Sequence, residues 1–282
     1  MADDAFDFVP LGAAPRPDDG EELARRVRSA LLDQAAGVTD ASPVRVAATL
    51  DGAAVPTLDV DLTGVVVAGA RKTPPPPAPV TARSSEAGIV GRLRVDAHPV
   101  TIEGVRVDLQ AEAENLSFSW VEGVDGSLAA QLVEPTEQDR VVGQVRVAAA
   151  RDEIVAAVQR VAADLAKAQG VTLSRLDVDL VSRGPRAASV AVRAQIRKGF
   201  LSATAEGGAT ATVGTDLVLT VSDVSVTSGN PLVAGMLAVA SGRIKAYEGR
   251  RIDLGAQLPP GVRLVDVGLD VGDEVVLTAR TG

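Results

Sequence analysis

The sequence predicts an α+β fold, mostly antiparallel β, in which a strongly curved sheet wraps around a long helix. Three observations predict it. Many segments alternate apolar and polar residues with a period of two, the signature of strands buried on one face. Helical periodicity is confined to three stretches, too few to cover so many one-sided strands. Leaving those faces in water would cost about 25 cal/mol per Å2, so the strands must face one another or curl round the helices. The second helical stretch is apolar round more than half its circumference, which suits a helix contacted on several sides.

Residues 1–20 are acidic, rich in Pro and Gly, and aperiodic, and they predict a disordered tail. Phe6, Phe8 and Val9 form a short apolar patch within it. Local packing is the simpler reading of that patch, and a protein partner docking through the tail is the alternative. A first helix is expected over 20–36: Asp19 and Glu22 have capping-box spacing, Leu23, Val27, Ala30 and Leu31 recur on one face, and Gly37 is a stop.

Strands then dominate to about residue 147. Leu58, Val60 and Leu62 alternate with Asp59 and Asp61, Val105, Val107 and Leu109 with Arg106 and Asp108, and Leu116, Phe118 and Trp120 with Ser117 and Ser119. The stretch 72–86 interrupts them. Pro74 to Pro77 have no N–H for a ladder and favour an extended rod, so a Pro-rich loop is expected.

The second helix is expected over 151–169, with Ile154, Val158, Val161 and Leu165 in one stripe widened by Val155 and Ala162, and Gly170 as its end. Long strands follow through Leu176–Leu180, Val190–Ile196 and Leu217–Val221. Gly207 and Gly208 mark a bulge or bend between them. Asn230 and Pro231 suit the start of a third helix, which Gly249 ends; Leu232, Val233, Met236, Leu237, Ala240 and Ile244 make its apolar face. Two closing strands, Val262–Leu269 and Glu274–Ala279, flank the Gly272–Asp273 turn.

The pentapeptide Leu58-Asp59-Val60-Asp61-Leu62 recurs as Leu176-Asp177-Val178-Asp179-Leu180. The expected organisation is therefore the tail 1–20 followed by one β-rich domain over 21–282, divisible into related halves 21–138 and 139–282.

Composition narrows the function classes. Hydrophobic residues make up 46% and aromatics only 2%, so Val, Ala and Leu fill the interior with little bulk, and enclosed space is expected. A net charge of −9 argues against nucleic acid and against attachment to an anionic membrane surface. No apolar run approaches the roughly 20 residues of a membrane span, and no basic leader precedes an apolar one, so integral membrane association is not expected. With no cysteine, the chain reads as soluble and cytoplasmic.

Catalytic signals are missing. His98 is the only histidine and reads as a surface residue beside Pro99; there is no Cys nucleophile, phosphate-binding Gly loop or nucleophile elbow. Asp59/Asp61 and Asp177/Asp179 put paired carboxylates on one strand face, where a hard cation such as Ca2+ is conceivable, and a solvated outer face is the preferred reading. Neither a metal, a cofactor nor an enzyme activity is expected.

The order of an apolar helix, four long alternating strands, a short helix, Leu258-Pro259-Pro260-Gly261-Val262-Arg263-Leu264 and a terminal hairpin resembles the actinobacterial LmeA-like phospholipid-binding family. The resemblance covers 150–282 in layout, and 88–134 more loosely through Val100-Thr101-Ile102-Glu103-Gly104-Val105. It implies a tubular lipid-binding fold whose channel holds acyl chains. That family's members usually carry an export signal or anchor, and none is seen here.

Two readings follow. In the first, an apolar groove binds a lipid or other apolar small molecule without catalysis. By alternation its lining is Leu176, Val178, Leu180, Val190, Val192, Ile196, Leu217 and Leu219, with Val158 and Leu165 from the second helix and Met236 and Leu237 from the third. Lys245, Arg250 and Arg251 would meet a headgroup, or else offset a helix dipole. In the second, the β-domain has a solid core, holds no ligand and serves structure or protein interaction.

Overall fold

The computed structural model describes residues 8–34, 38–68, 80–136, 140–168, 172–198, 201–229, 248–254 and 262–282. The chain divides into two compact units: one comprises residues 1–147, 258–265 and 279–282, and the other 148–257 and 266–278.

The first unit opens with β1 (Phe8–Ala13) and α1 (Gly20–Gln34), followed by β2 (Val38–Asp40), β3 (Arg45–Ala48), β4 (Val55–Asp61) and β5 (Val66–Val67). A long hairpin of β6 (Ala82–Ile102) and β7 (Val105–Gly123) forms its spine, and β8 (Ser127–Leu132) and β9 (Val142–Ala150) complete it. β6 and β7 pair antiparallel, while β4 and β5 run parallel to β6. Antiparallel pairing predominates, as alternation predicted.

Helix α1 starts where the sequence places it: Asp19 Oδ1 accepts the Glu22 backbone N–H at 2.8 Å, satisfying one of the helix's free donors. Its buried face carries Leu23, Ala24 and Ala30, and Leu31 is exposed. Leu23 joins Leu11, Val55, Phe118, Trp120 and Leu128 in the larger core cluster. Phe118 and Trp120 meet edge to face, ring centroids 5.0 Å apart at 72°. A second cluster of Val44, Val65, Ala97 and Val100 lies toward the other end of the hairpin.

The second unit contains α2 (Arg151–Ala168) and a five-stranded antiparallel sheet in the order β10 (Thr172–Gly184), β11 (Ala187–Lys198), β12 (Leu201–Val213), β13 (Val218–Ser228), β14 (Arg251–Asp253). The closing strands β15 (Leu264–Val271) and β16 (Glu274–Thr281) contribute to both units, as does β9.

Several expectations are corrected. Among the described residues no sheet is strongly curled or wrapped around a long helix. The described helix α2 instead sits against β10, where Gln159 Nε2 donates to the Leu176 carbonyl at 2.7 Å. That bond explains the helix's rotation: an edge strand leaves carbonyls without a ladder partner, and a polar side chain satisfies one. Val158 is consequently 42% exposed.

Within 1–20, Phe8–Ala13 is not disordered; it pairs with β8, and Leu11 is buried. The strand forms because Phe8, Val9 and Leu11 meet an apolar neighbour strand. Residues 1–7 lie outside the described residues. The 72–86 loop is shorter than expected at its far end, since β6 already runs from Ala82; its stretch 72–79 lies outside the described residues, as does the third helix from 230 to 247. The repeated pentapeptides occupy unlike places. Leu58–Asp61 lies in β4, flanked by β3 and β6, whereas Leu176–Leu180 lies in β10, at a sheet edge.

Candidate functional site

The five-stranded sheet of the second unit has one apolar face, and strand register assembles it. Strict alternation in β10 and β11 sends Leu176, Val178, Leu180, Val190, Val192, Ala194 and Ile196 to one side. Cross-strand pairing then sets them in rows: Leu180 beside Val190 and Ala209, Val178 beside Val192, Gly207 and Val226, and Leu176 beside Ala194 and Ala205. Strand β12 is the floor of this face. Its inward positions Ala203, Ala205, Gly207, Ala209 and Ala211 carry at most one methyl group each, so the middle of the face is lower than its flanks.

A bulge keeps the face continuous. Ser222 opposes Thr210 and Ser225 opposes Gly208, so β13 takes up one extra residue beside Asp223, whose φ is 55°. Without it Val221 and Val226 would fall on opposite sides. Gly207 is closely approached: an added Cβ would stand 3.1 Å from the Ser225 carbonyl oxygen, so a larger residue there would require a small shift.

The face is incompletely buried. Among its described members only Leu176 and Val213 are buried, and Val178, Leu180, Val190, Val192, Ile196 and Leu219 are half-buried. Leu217 is not on a strand. It closes the β12–β13 turn at φ 58°, where Gly214 accepts its N–H at 3.0 Å. A leucine in the left-handed region gave no signal in an alternating pattern. Val158 points away, as described, and the Leu165 side chain, Met236, Leu237 and Lys245 lie outside the described residues.

Two of the cations expected at a headgroup are among the described residues. Arg251 pairs with Asp216 at 3.1 Å. Arg250 is exposed, and its carbonyl accepts the Val221 N–H at 3.2 Å.

The paired carboxylates do not converge on a common point. Asp177 is held by Arg175 at 2.9 Å, and Asp61 accepts the Thr63 N–H at 2.9 Å. Hydrogen bonding by Thr63, through its hydroxyl and then its backbone N–H, keeps the Asp61 carboxyl below its ordinary value. His98 is on the surface, with Nδ1 3.6 Å from Asp108 and Nε2 3.9 Å from Asp96. Among the described residues no group of three His, Asp or Glu side chains is placed to hold a metal ion.

The same sheet also carries a hollow that the sequence pattern concealed. It has a volume of about 630 Å3 and is lined by Ser174, Gln195, Arg197, Ser202, Ala203, Thr204 and Gly229. Hydroxyls and amides on the outer side of alternating strands look like ordinary solvated surface; only the register that brings them together distinguishes them.

No family model, curated protein or solved structure matches this chain. No helix among the described residues is long and apolar enough to cross a membrane.

Proposed function

We propose that the second unit binds a lipid acyl chain, or another elongated apolar molecule, against the apolar face of its five-stranded sheet, without catalysis. One observation carries this reading: the row of Ala and Gly side chains on β12 lies between taller Val and Leu side chains on β10, β11 and β13. Such a trough matches a polymethylene chain in width and chemistry. Burying it under a ligand would return about 25 cal/mol per Å2 of covered apolar surface. The layout resemblance to LmeA-like phospholipid-binding proteins points the same way.

Native mass spectrometry of the purified chain tests the reading. The expected result is a lipid-sized adduct in stoichiometric amount that organic extraction removes. A chain that carries no adduct and shows no saturable binding of a fluorescent fatty acid contradicts it, and leaves a β-domain serving structure or protein interaction. That second reading draws less support from the N-terminal tail than its sequence offered, because Phe8 and Val9 are engaged with β8.

A further inference from the structure

The geometry points to an oxyanion subsite in the polar hollow of the five-stranded sheet, one that takes a phosphate ester bearing hydroxyl groups. Beside this hollow, register makes three guanidinium groups neighbours: Thr172 opposes Arg197, Arg175 opposes Gln195, and Asp177 opposes Arg193. Two of them are neutralised in place. Arg175 pairs with Asp177 at 2.9 Å and Arg193 with Glu206 at 2.8 Å. Arg197 has no carboxylate partner among the described residues. It therefore leaves one uncompensated positive charge in a hollow of about 630 Å3, on a chain whose net charge is −9.

The groups around Arg197 complete the recognition. Ser202 lies directly across from Arg197, and Thr204 across from Gln195, so two hydroxyls and an amide flank the guanidinium. Ser174 sits at the irregularity between Leu173 and Arg175, and its hydroxyl donates to the Gln195 carbonyl at 3.0 Å. Its oxygen thus remains an acceptor for a ligand hydroxyl. Arginine binds phosphate oxygens through parallel N–H donors, and neighbouring Ser and Thr add further ones. The volume exceeds what a bare phosphate needs, which favours an ester with a glycerol-like or sugar-like group. A hollow whose described lining holds one arginine and no carboxylate selects against cations and against highly charged polyanions.

Two sources carry this chemistry: a soluble phosphate ester, or the headgroup of a phospholipid whose chains use the apolar face. The second source rests on the lipid-binding reading above. Glycerol 3-phosphate titrated calorimetrically into the full chain should bind, and glycerol should not. Arg197→Gln should weaken the phosphate ester about ten-fold or more, the loss expected for a charge-assisted hydrogen bond. Ser202→Ala and Thr204→Ala should each weaken it by a few-fold, and Arg45→Gln, on the first unit, should leave it unchanged. Arg197 is exposed, so unchanged thermal melting of Arg197→Gln will show that folding is not at issue.

A parent chain that does not bind glycerol 3-phosphate, or an Arg197→Gln chain that binds it equally well, overturns the subsite. Uptake from phosphatidylcholine vesicles with and without phosphatidylglycerol separates the sources: preference for phosphatidylglycerol, abolished by Arg197→Gln, assigns the headgroup. Glycerol 3-phosphate binding without any fatty-acid binding overturns the lipid reading alone and assigns a soluble ester. Fatty-acid binding without glycerol 3-phosphate binding overturns the subsite alone.

Discussion

Trp120 and Asp61 show how single residues fix the first unit. Trp120 was readable as a core residue from its place beside Leu116 and Phe118 in an alternating strand, and it is buried. What alternation could not reveal is its distant polar partner: indole Nε1–H donates to the Ala53 carbonyl at 2.9 Å, across 67 positions. Asp61 belongs to the same class of long-range fact. Its stabilising neighbour Thr63 also accepts the His98 backbone N–H at 2.9 Å, tying the end of β4 to the last part of β6, near Ile102. The folded Asp61 carboxyl titrates below its ordinary value of 3.8, so the stability it adds is fully present above that value and is lost as pH falls through the lower one. Asp61→Asn lacks this contribution. Between about pH 5 and about pH 2.5 its urea midpoint should fall less than the parent's. Equal falls in the two proteins would contradict the assignment.

Among elements, the strands were legible and their partners were not. Period-two alternation locates β4, β7, β10 and β11 because each buries one face, yet nothing in a strand says that β4 pairs parallel with β6. That pairing depends on backbones approaching closely. Gly88 illustrates the demand: a Cβ there would stand 2.7 Å from the Ala53 carbonyl oxygen and 2.6 Å from the Phe118 ring. The ring of Phe118, its cross-strand partner, takes the space that the glycine leaves. Gly88→Ala should therefore destabilise by about 1–3 kcal/mol through overpacking, measured by chemical denaturation. A neutral result would mean that Phe118 and the Ala53 carbonyl pack less closely against Gly88 than described. Helix α2 was located correctly and oriented wrongly for a related reason. Its apolar circumference suggested enclosure, whereas Gln159, ignored by a hydrophobic count, turns toward the edge of β10.

At the scale of the whole molecule, the two units share the C-terminal segment. Residues 258–265 and 279–282 belong to the first and 266–278 to the second. In the second unit Arg186 pairs with Asp266 at 2.5 Å and Leu269 donates to Pro185 at 2.8 Å; in the first, Gly282 donates to Arg263 at 3.2 Å. Deleting 258–282 should lower the stability of both units together, read as lost hydrogen-exchange protection in β6–β7 and in β11–β12. Unchanged protection in either hairpin would contradict the shared-segment account. The closing hairpin itself was legible from its turn and alternation. Its division between units was not, because that is set by contacts far away in sequence.

The apolar trough on β12 is the centre of the functional reading, and Val192 stands beside its lowest point, opposite Gly207. The direct measurement is Val192→Trp, assayed together for thermal stability and for displacement of a fluorescent fatty acid. If the trough is ligand space, the indole ring fills it: fatty-acid uptake falls steeply while the melting temperature scarcely moves. If the face is a solid core, the added bulk has nowhere to go, and stability drops by about 1–3 kcal/mol or more. That drop, with no fatty-acid binding by the parent protein, would contradict the account.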